Sequence, residues 1–79
     1  MATYHVSLDL SVPPELDAQV LDRLVRDAIS AAACKPLEVM PRSLLIECDP
    51  LGTETLEAAL REMLETRGGA LNSIAFTQR

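Results

Sequence analysis

The sequence predicts an α+β domain, one four-stranded antiparallel sheet with two helices on a single face. Three observations carry that prediction. In Tyr4-His5-Val6-Ser7-Leu8-Asp9-Leu10-Ser11-Val12 every even position is apolar and every odd one polar. That is the period of a strand with one packed face and one open face. Two later segments, Pro14 to Ala33 and Thr53 to Arg67, repeat their apolar residues at helical spacing. The chain has 79 residues, about half of them apolar, enough for one domain (1–79) around one modest core.

The elements follow in order. Tyr4, Val6, Leu8, Leu10 and Val12 face inward on the first strand, and His5, Ser7, Asp9 and Ser11 face outward. Val12-Pro13-Pro14-Glu15 ends it and starts a helix, because proline in a first helical turn forfeits no hydrogen bond. Glu15 and Asp17 add negative charge at the positive end of the helix dipole. Val20, Leu21, Leu24, Val25, Ala28, Ile29 and Ala32 share one half of the helical wheel. Asp22–Arg26 and Arg23–Asp27 stand at the favourable four-residue spacing on the other. Lys35-Pro36 ends the helix.

Residues 37–40 read either as a short edge strand or as an irregular lead-in, and Pro41 suits an early turn position. Ser43 to Asp49 is the stronger strand, with Leu44, Ile46 and Cys48 inward and Leu45, Glu47 and Asp49 outward. Asp49-Pro50-Leu51-Gly52 is a turn, and Thr53 is the expected N-cap of the second helix. Leu56, Ala59, Leu60, Met63 and Leu64 make its buried stripe, while Glu57–Arg61 and Arg61–Glu65 pair on the wet side. Gly68-Gly69 closes it, and a last strand from Ala70 to Thr77 turns Ile74 and Phe76 inward.

Strand, helix, strand, strand, helix, strand, with right-handed crossovers, is the ferredoxin-like split βαβ plan, strands one and three central. In length and element order the chain resembles two families built on it. Ile46-Glu47-Cys48-Asp49-Pro50 and the helix carrying Leu56 and Ala59-Leu60 are similar to the second half of heavy-metal-associated domains. That family places a Cys-x-x-Cys pair in the first loop, where this chain reads Ser11-Val12-Pro13-Pro14-Glu15-Leu16. The regulatory, amino-acid-binding ACT domain is the other likeness, with Pro13 and Pro14 standing where that family usually has glycine. The resemblance implies an architecture and brings no metal or ligand site with it.

Composition narrows the function. Twelve acids against seven bases give a net charge of −5, the opposite of a nucleic-acid-binding balance. Tyr4 and Phe76 are the only aromatic residues, too few for a base-stacking platform. No apolar run reaches the roughly 18 residues that span a bilayer, and no signal-peptide pattern opens the chain. A cytoplasmic setting with reduced thiols is therefore expected, and one histidine with two cysteines does not make a zinc motif.

Glu54, Glu57, Glu62 and Glu65 make the second helix distinctly negative and form the first candidate binding surface. The open sheet face is the second, with Asp9, Leu45 and Glu47. If strands one and three are neighbours, Asp9 and Glu47 come within reach, and with His5 they offer a divalent-metal or acid–base pair, or merely a solvated face. Cys34 and Cys48 share one pole, as two small buried residues or as a thiol pair. Met40 and Met63 read as fillers.

The expectation is a non-enzymatic, cofactor-free module, an acidic adaptor or inhibitor that binds a protein partner with a basic surface. A homodimer through open edges is a further expectation, and direct nucleic-acid or membrane binding is not expected. The alternatives are a phage-type inhibitor of a nucleic-acid-binding machine, such as an anti-CRISPR protein, and a small-ligand or metal-binding regulator.

Overall fold

The computed structural model describes residues 2–40 and 42–79. Six elements follow one another: β1 (Ala2–Ser11), α1 (Ala18–Ala31), β2 (Lys35–Met40), β3 (Ser43–Cys48), α2 (Gly52–Thr66) and β4 (Ala70–Gln78). All pairings are antiparallel, in the order β2-β3-β1-β4. β1 and β3 are central, and the fold is ferredoxin-like.

The core is aliphatic. Val6, Val25, Leu44, Ile46, Leu56, Leu60 and Leu64 are fully buried together with Ala28, Ile29 and Cys48, and no polar or charged residue among those described is buried. The apolar stripes of both helices share one core cluster with Tyr4, Val6, Leu8 and Leu10 of β1 and Leu44, Ile46 and Cys48 of β3. Tyr4 meets Phe76 edge to face, ring centres 6.3 Å apart, a pairing worth about 1 kcal/mol beyond burial.

Several boundaries differ from expectation. Helix α1 begins at Ala18, not Pro14, because Asp17 is its cap: the Val20 N–H donates to Asp17 Oδ1 at 2.9 Å. Pro13 to Leu16 instead form a turn closed by the Leu16 N–H on the Pro13 carbonyl, 3.0 Å. Helix α2 begins at Gly52, so Thr53 is not its N-cap. Asp49 starts it, accepting from the Leu51 N–H at 3.0 Å through its side chain and from the Gly52 N–H at 2.8 Å through its carbonyl. The Thr53 hydroxyl donates to the Pro50 carbonyl at 2.8 Å. Residues 37–40 lie within a true strand that already starts at Lys35. The turn position expected for Pro41 falls outside the described residues. Of the expected helix ion pairs, Asp22–Arg26 forms at 2.9 Å and Glu57–Arg61 at 3.3 Å, and no ion pair joins Arg23 to Asp27 or Arg61 to Glu65.

Each edge strand carries one extra residue. On β4, Leu10 opposes Leu71 while Asp9 opposes Ser73, so Asn72 bulges and both Leu71 and Ile74 turn inward. On β2, Pro36 opposes Ile46 and Glu38 opposes Leu45, so Leu37 bulges. A proline without an N–H and a bulge blunt the β2 edge against pairing.

Both helices end in the same six-residue cap. The Cys34 N–H reaches the Ile29 carbonyl at 3.0 Å, and the Gly69 N–H reaches the Leu64 carbonyl at 2.8 Å. The left-handed position is Gly68 after α2 (φ 82°) but Ala33 after α1 (φ 58°). Alanine is strained there, so Ala33→Gly is expected to stabilise by roughly 0.5–1 kcal/mol, a few degrees in Tm by thermal unfolding. A lowered Tm would mean that Ala33 is not held left-handed.

Candidate functional site

The acidic surface expected on α2 forms one contiguous face. Glu54, Glu57, Glu62 and Glu65 line the same shallow exposed depression with Ala58 and Arg61. Recurrence at three to four residues puts them on one side of the helix, while Leu56, Leu60 and Leu64 anchor the other side in the core. Arg61 is the single base among them, and it is already engaged. One guanidinium nitrogen donates to Glu57 Oε2 at 3.3 Å and another to the Leu71 carbonyl at 3.3 Å. Glu54, Glu62 and Glu65 have no ion-pair partner among the described residues.

Leu51 heads this face and was not among the residues expected there. It precedes the first turn in helical conformation (φ −70°, ψ −22°), so it falls in line with Glu54, Ala58, Glu62 and Glu65. It is 77% exposed, the most exposed large hydrophobic residue described. The Asp49 turn holds it there through the Leu51 N–H. From Leu51 to Glu65 the stripe runs about 20 Å. The sequence signal for Leu51 was an aliphatic residue inside a Pro-Leu-Gly turn, where burial is hard to arrange.

The open sheet face does not converge. Leu45 opposes His5 and Glu38, Glu47 opposes Thr3 and Lys35, and Asp9 opposes Ser73. The run from Thr3 to Asp9 is about 20 Å of strand, so Asp9 and Glu47 do not form a pair. The antiparallel register, invisible in the sequence, separates them. No group of three or more His, Cys, Asp or Glu side chains suited to a metal exists among the described residues.

His5 Nε2 lies 2.9 Å from Ser43 Oγ, a base beside a hydroxyl. β1 and β3 are both interior strands, so their backbone N–H groups serve the ladder and are not aimed at a reacting carbonyl. On the opposite side of the molecule a cleft of about 680 Å³ opens between α1 and α2. Val20, Leu24, Ala59 and Met63 are its apolar lining, and Arg23, Asp27, Glu62 and Arg67 add charges of both signs. Cys34 and Cys48 are both buried free thiols.

No helix among the described residues is long and apolar enough to cross a membrane. Compared with family models, curated proteins and solved structures, the chain matches none. Fold and surface therefore define its class: a small ferredoxin-like α+β domain with an acidic helical face.

Proposed function

We propose that this domain is a non-enzymatic protein-interaction module, an adaptor or inhibitor that lays the acidic face of α2 on a basic surface of a partner protein. One observation carries the reading: a largely exposed leucine heads a stripe of four glutamates that has a single, already engaged arginine. The division of labour is a common one in recognition. The charges speed encounter and set orientation, while the apolar head supplies area that is desolvated only on docking. A protein that itself reads phosphate backbones presents a basic surface of the required kind, and an inhibitor that covers it with carboxylates is the finer form of this reading.

The reading is tested by recovering partners on the tagged domain from extract of its native host. Glu57, Glu62 and Glu65 are changed together to Lys, with Leu51→Ala as a separate variant. These side chains are exposed or half-buried, so both variants are expected to fold with near-unchanged circular dichroism. The wild type is expected to retain one stoichiometric partner at low salt and lose it toward 0.5 M. Charge reversal is expected to lower the association rate at least about tenfold at low salt, and Leu51→Ala to act mainly on dissociation. Recovery of the same proteins by all three chains would remove α2 as the binding surface.

A further inference from the structure

Cys34 and Cys48 stand closer to each other than burial alone requires. On the β2–β3 ladder, Lys35 opposes Glu47 and Pro36 opposes Ile46. One further step of that register puts Cys34 opposite Cys48. The Cys34 N–H is engaged with the Ile29 carbonyl at 3.0 Å and not with β3. Cys34 stands one residue before β2, and the register extended to it makes the two cysteines an opposed pair without a mutual backbone hydrogen bond, the geometry in which strand partners come closest, with Cα atoms about 4.5 Å apart. Disulfides are made at Cα separations of roughly 4.4–6.8 Å.

The side chains agree with the backbone. Both thiols lie on the core side, Cys48 fully buried and Cys34 nearly so. A Cβ built on Gly52 would stand 3.3 Å from Cys34 Sγ and 3.5 Å from Cys48 Cβ, so both atoms touch one small space. Glycine at the head of α2 keeps that space open for sulfur. The left-handed Ala33 cap fixes where Cys34 leaves α1 and enters the strand position.

We propose that Cys34 and Cys48 form a reversible thiol–disulfide site that exchanges with small-molecule disulfides and staples the start of β2 to the end of β3. One cysteine thiolate attacks a sulfur of oxidised glutathione, giving a mixed disulfide and one glutathione thiol. The second cysteine attacks the protein sulfur of that mixed disulfide and releases the other glutathione thiol. One S–S bond breaks and one forms; the two thiol protons and two electrons of the protein end on the two reduced glutathione molecules. The closed loop runs from residue 34 to 48 and contains all of β2, the least buried strand, in which Val39 alone is half-buried.

Burial first, and then the hydrogen bond and charge of the neighbouring Cys48 thiol, push the Cys34 thiol up to about 12. At neutral pH it is almost wholly protonated, so closure of the native chain is slow even though the disulfide is geometrically favoured. Exchange in either direction therefore takes place while the chain is folding or transiently open.

The test refolds the whole chain from urea in glutathione redox buffer, so that burial does not block exchange, and counts thiols by alkylation and intact mass. Under oxidising conditions the wild type is expected to lose both thiols as a monomer 2 Da lighter, with Tm raised by about 10–20 °C and restored by dithiothreitol. Cys34→Ala and Cys48→Ala should show no such rise. The comparison of oxidised with reduced wild type stands even if either variant fails to fold. Two free thiols after oxidative refolding, or only glutathione adducts and intermolecular dimers, overturns the proposal. So does an intramolecular disulfide that leaves Tm unchanged or lowers it.

Discussion

Leu60→Ala is expected to lower stability by about 3–4 kcal/mol, a large part of what a domain this small possesses. Leu56, Leu60 and Leu64 are all fully buried, one helical turn apart, and Leu60 is the middle one. It belongs to the same core cluster as strand residues such as Ile46 and Val6, themselves fully buried and part of a continuous ladder. A sheet held by hydrogen bonds on both sides cannot collapse into the space left by three lost carbons. The cost therefore combines lost transfer energy with an unfilled cavity. In urea the midpoint should fall with little change in slope, and Tm should drop by about 15–25 °C. Met63→Ala is the control. Met63 is only half-buried at the interhelical cleft, so its truncation should cost under about 1.5 kcal/mol. Equal costs for the two would mean that α2 is rotated about its axis, with Leu60 and Met63 buried alike.

What the sequence shows plainly and what it hides follow from periodicity. The alternation of β1 and the stripes of both helices are repeated local signals, and Val6, Leu24, Ile29, Leu56 and Leu60 all lie where those signals put them. Interruptions by one residue leave no such trace. Stepping back by twos from Ile74 gives Asn72 as the inward residue, whereas the bulge at Asn72 turns Leu71 inward instead. The same holds for Leu37, which alternation groups with Val39 and the bulge leaves 46% exposed. Helix starts are hidden for another reason. Pro14 and Thr53 are favourable residues at a start, but Asp17 and Asp49 accept the hydrogen bonds that begin the two helices. Competition between good caps is decided by tertiary placement. The acidic face of α2 was legible because helical spacing alone assembles Glu54, Glu57, Glu62 and Glu65. Register decides the Asp9–Glu47 separation and the Cys34–Cys48 opposition, and register is set by pairing between segments far apart in the chain.

Gly69→Ala is expected to cost about 2–3 kcal/mol, more than Gly68→Ala, although Gly68 is the residue with the unusual backbone. Gly68 sits at φ 82°, but the space where its Cβ would stand is open, with Pro13 Cγ at 3.9 Å as the nearest atom. The molecule itself shows that alanine survives at this point of the cap, since Ala33 occupies it after α1 at φ 58°. The penalty at Gly68 is thus confined to local strain of about 1 kcal/mol or somewhat more. Gly69 differs in kind. A Cβ there would stand 2.7 Å from the Ser11 carbonyl oxygen and 3.4 Å from the Leu64 carbonyl oxygen. Both atoms are backbone, and neither can swing aside as a side chain can. The Gly69 N–H is meanwhile held to Leu64 at 2.8 Å, and the next residue, Ala70, pairs with Ser11 at the start of β4. Relief requires either breaking the α2 cap or prising the end of β1 from β4. Thermal unfolding should rank the chains wild type, Gly68→Ala, Gly69→Ala in falling Tm. Hydrogen exchange should locate the damage, with amide protection lost at Ser11 and Ala70 in Gly69→Ala alone. If Gly68→Ala proved the more damaging, backbone strain and not close approach would govern the α2–β4 corner.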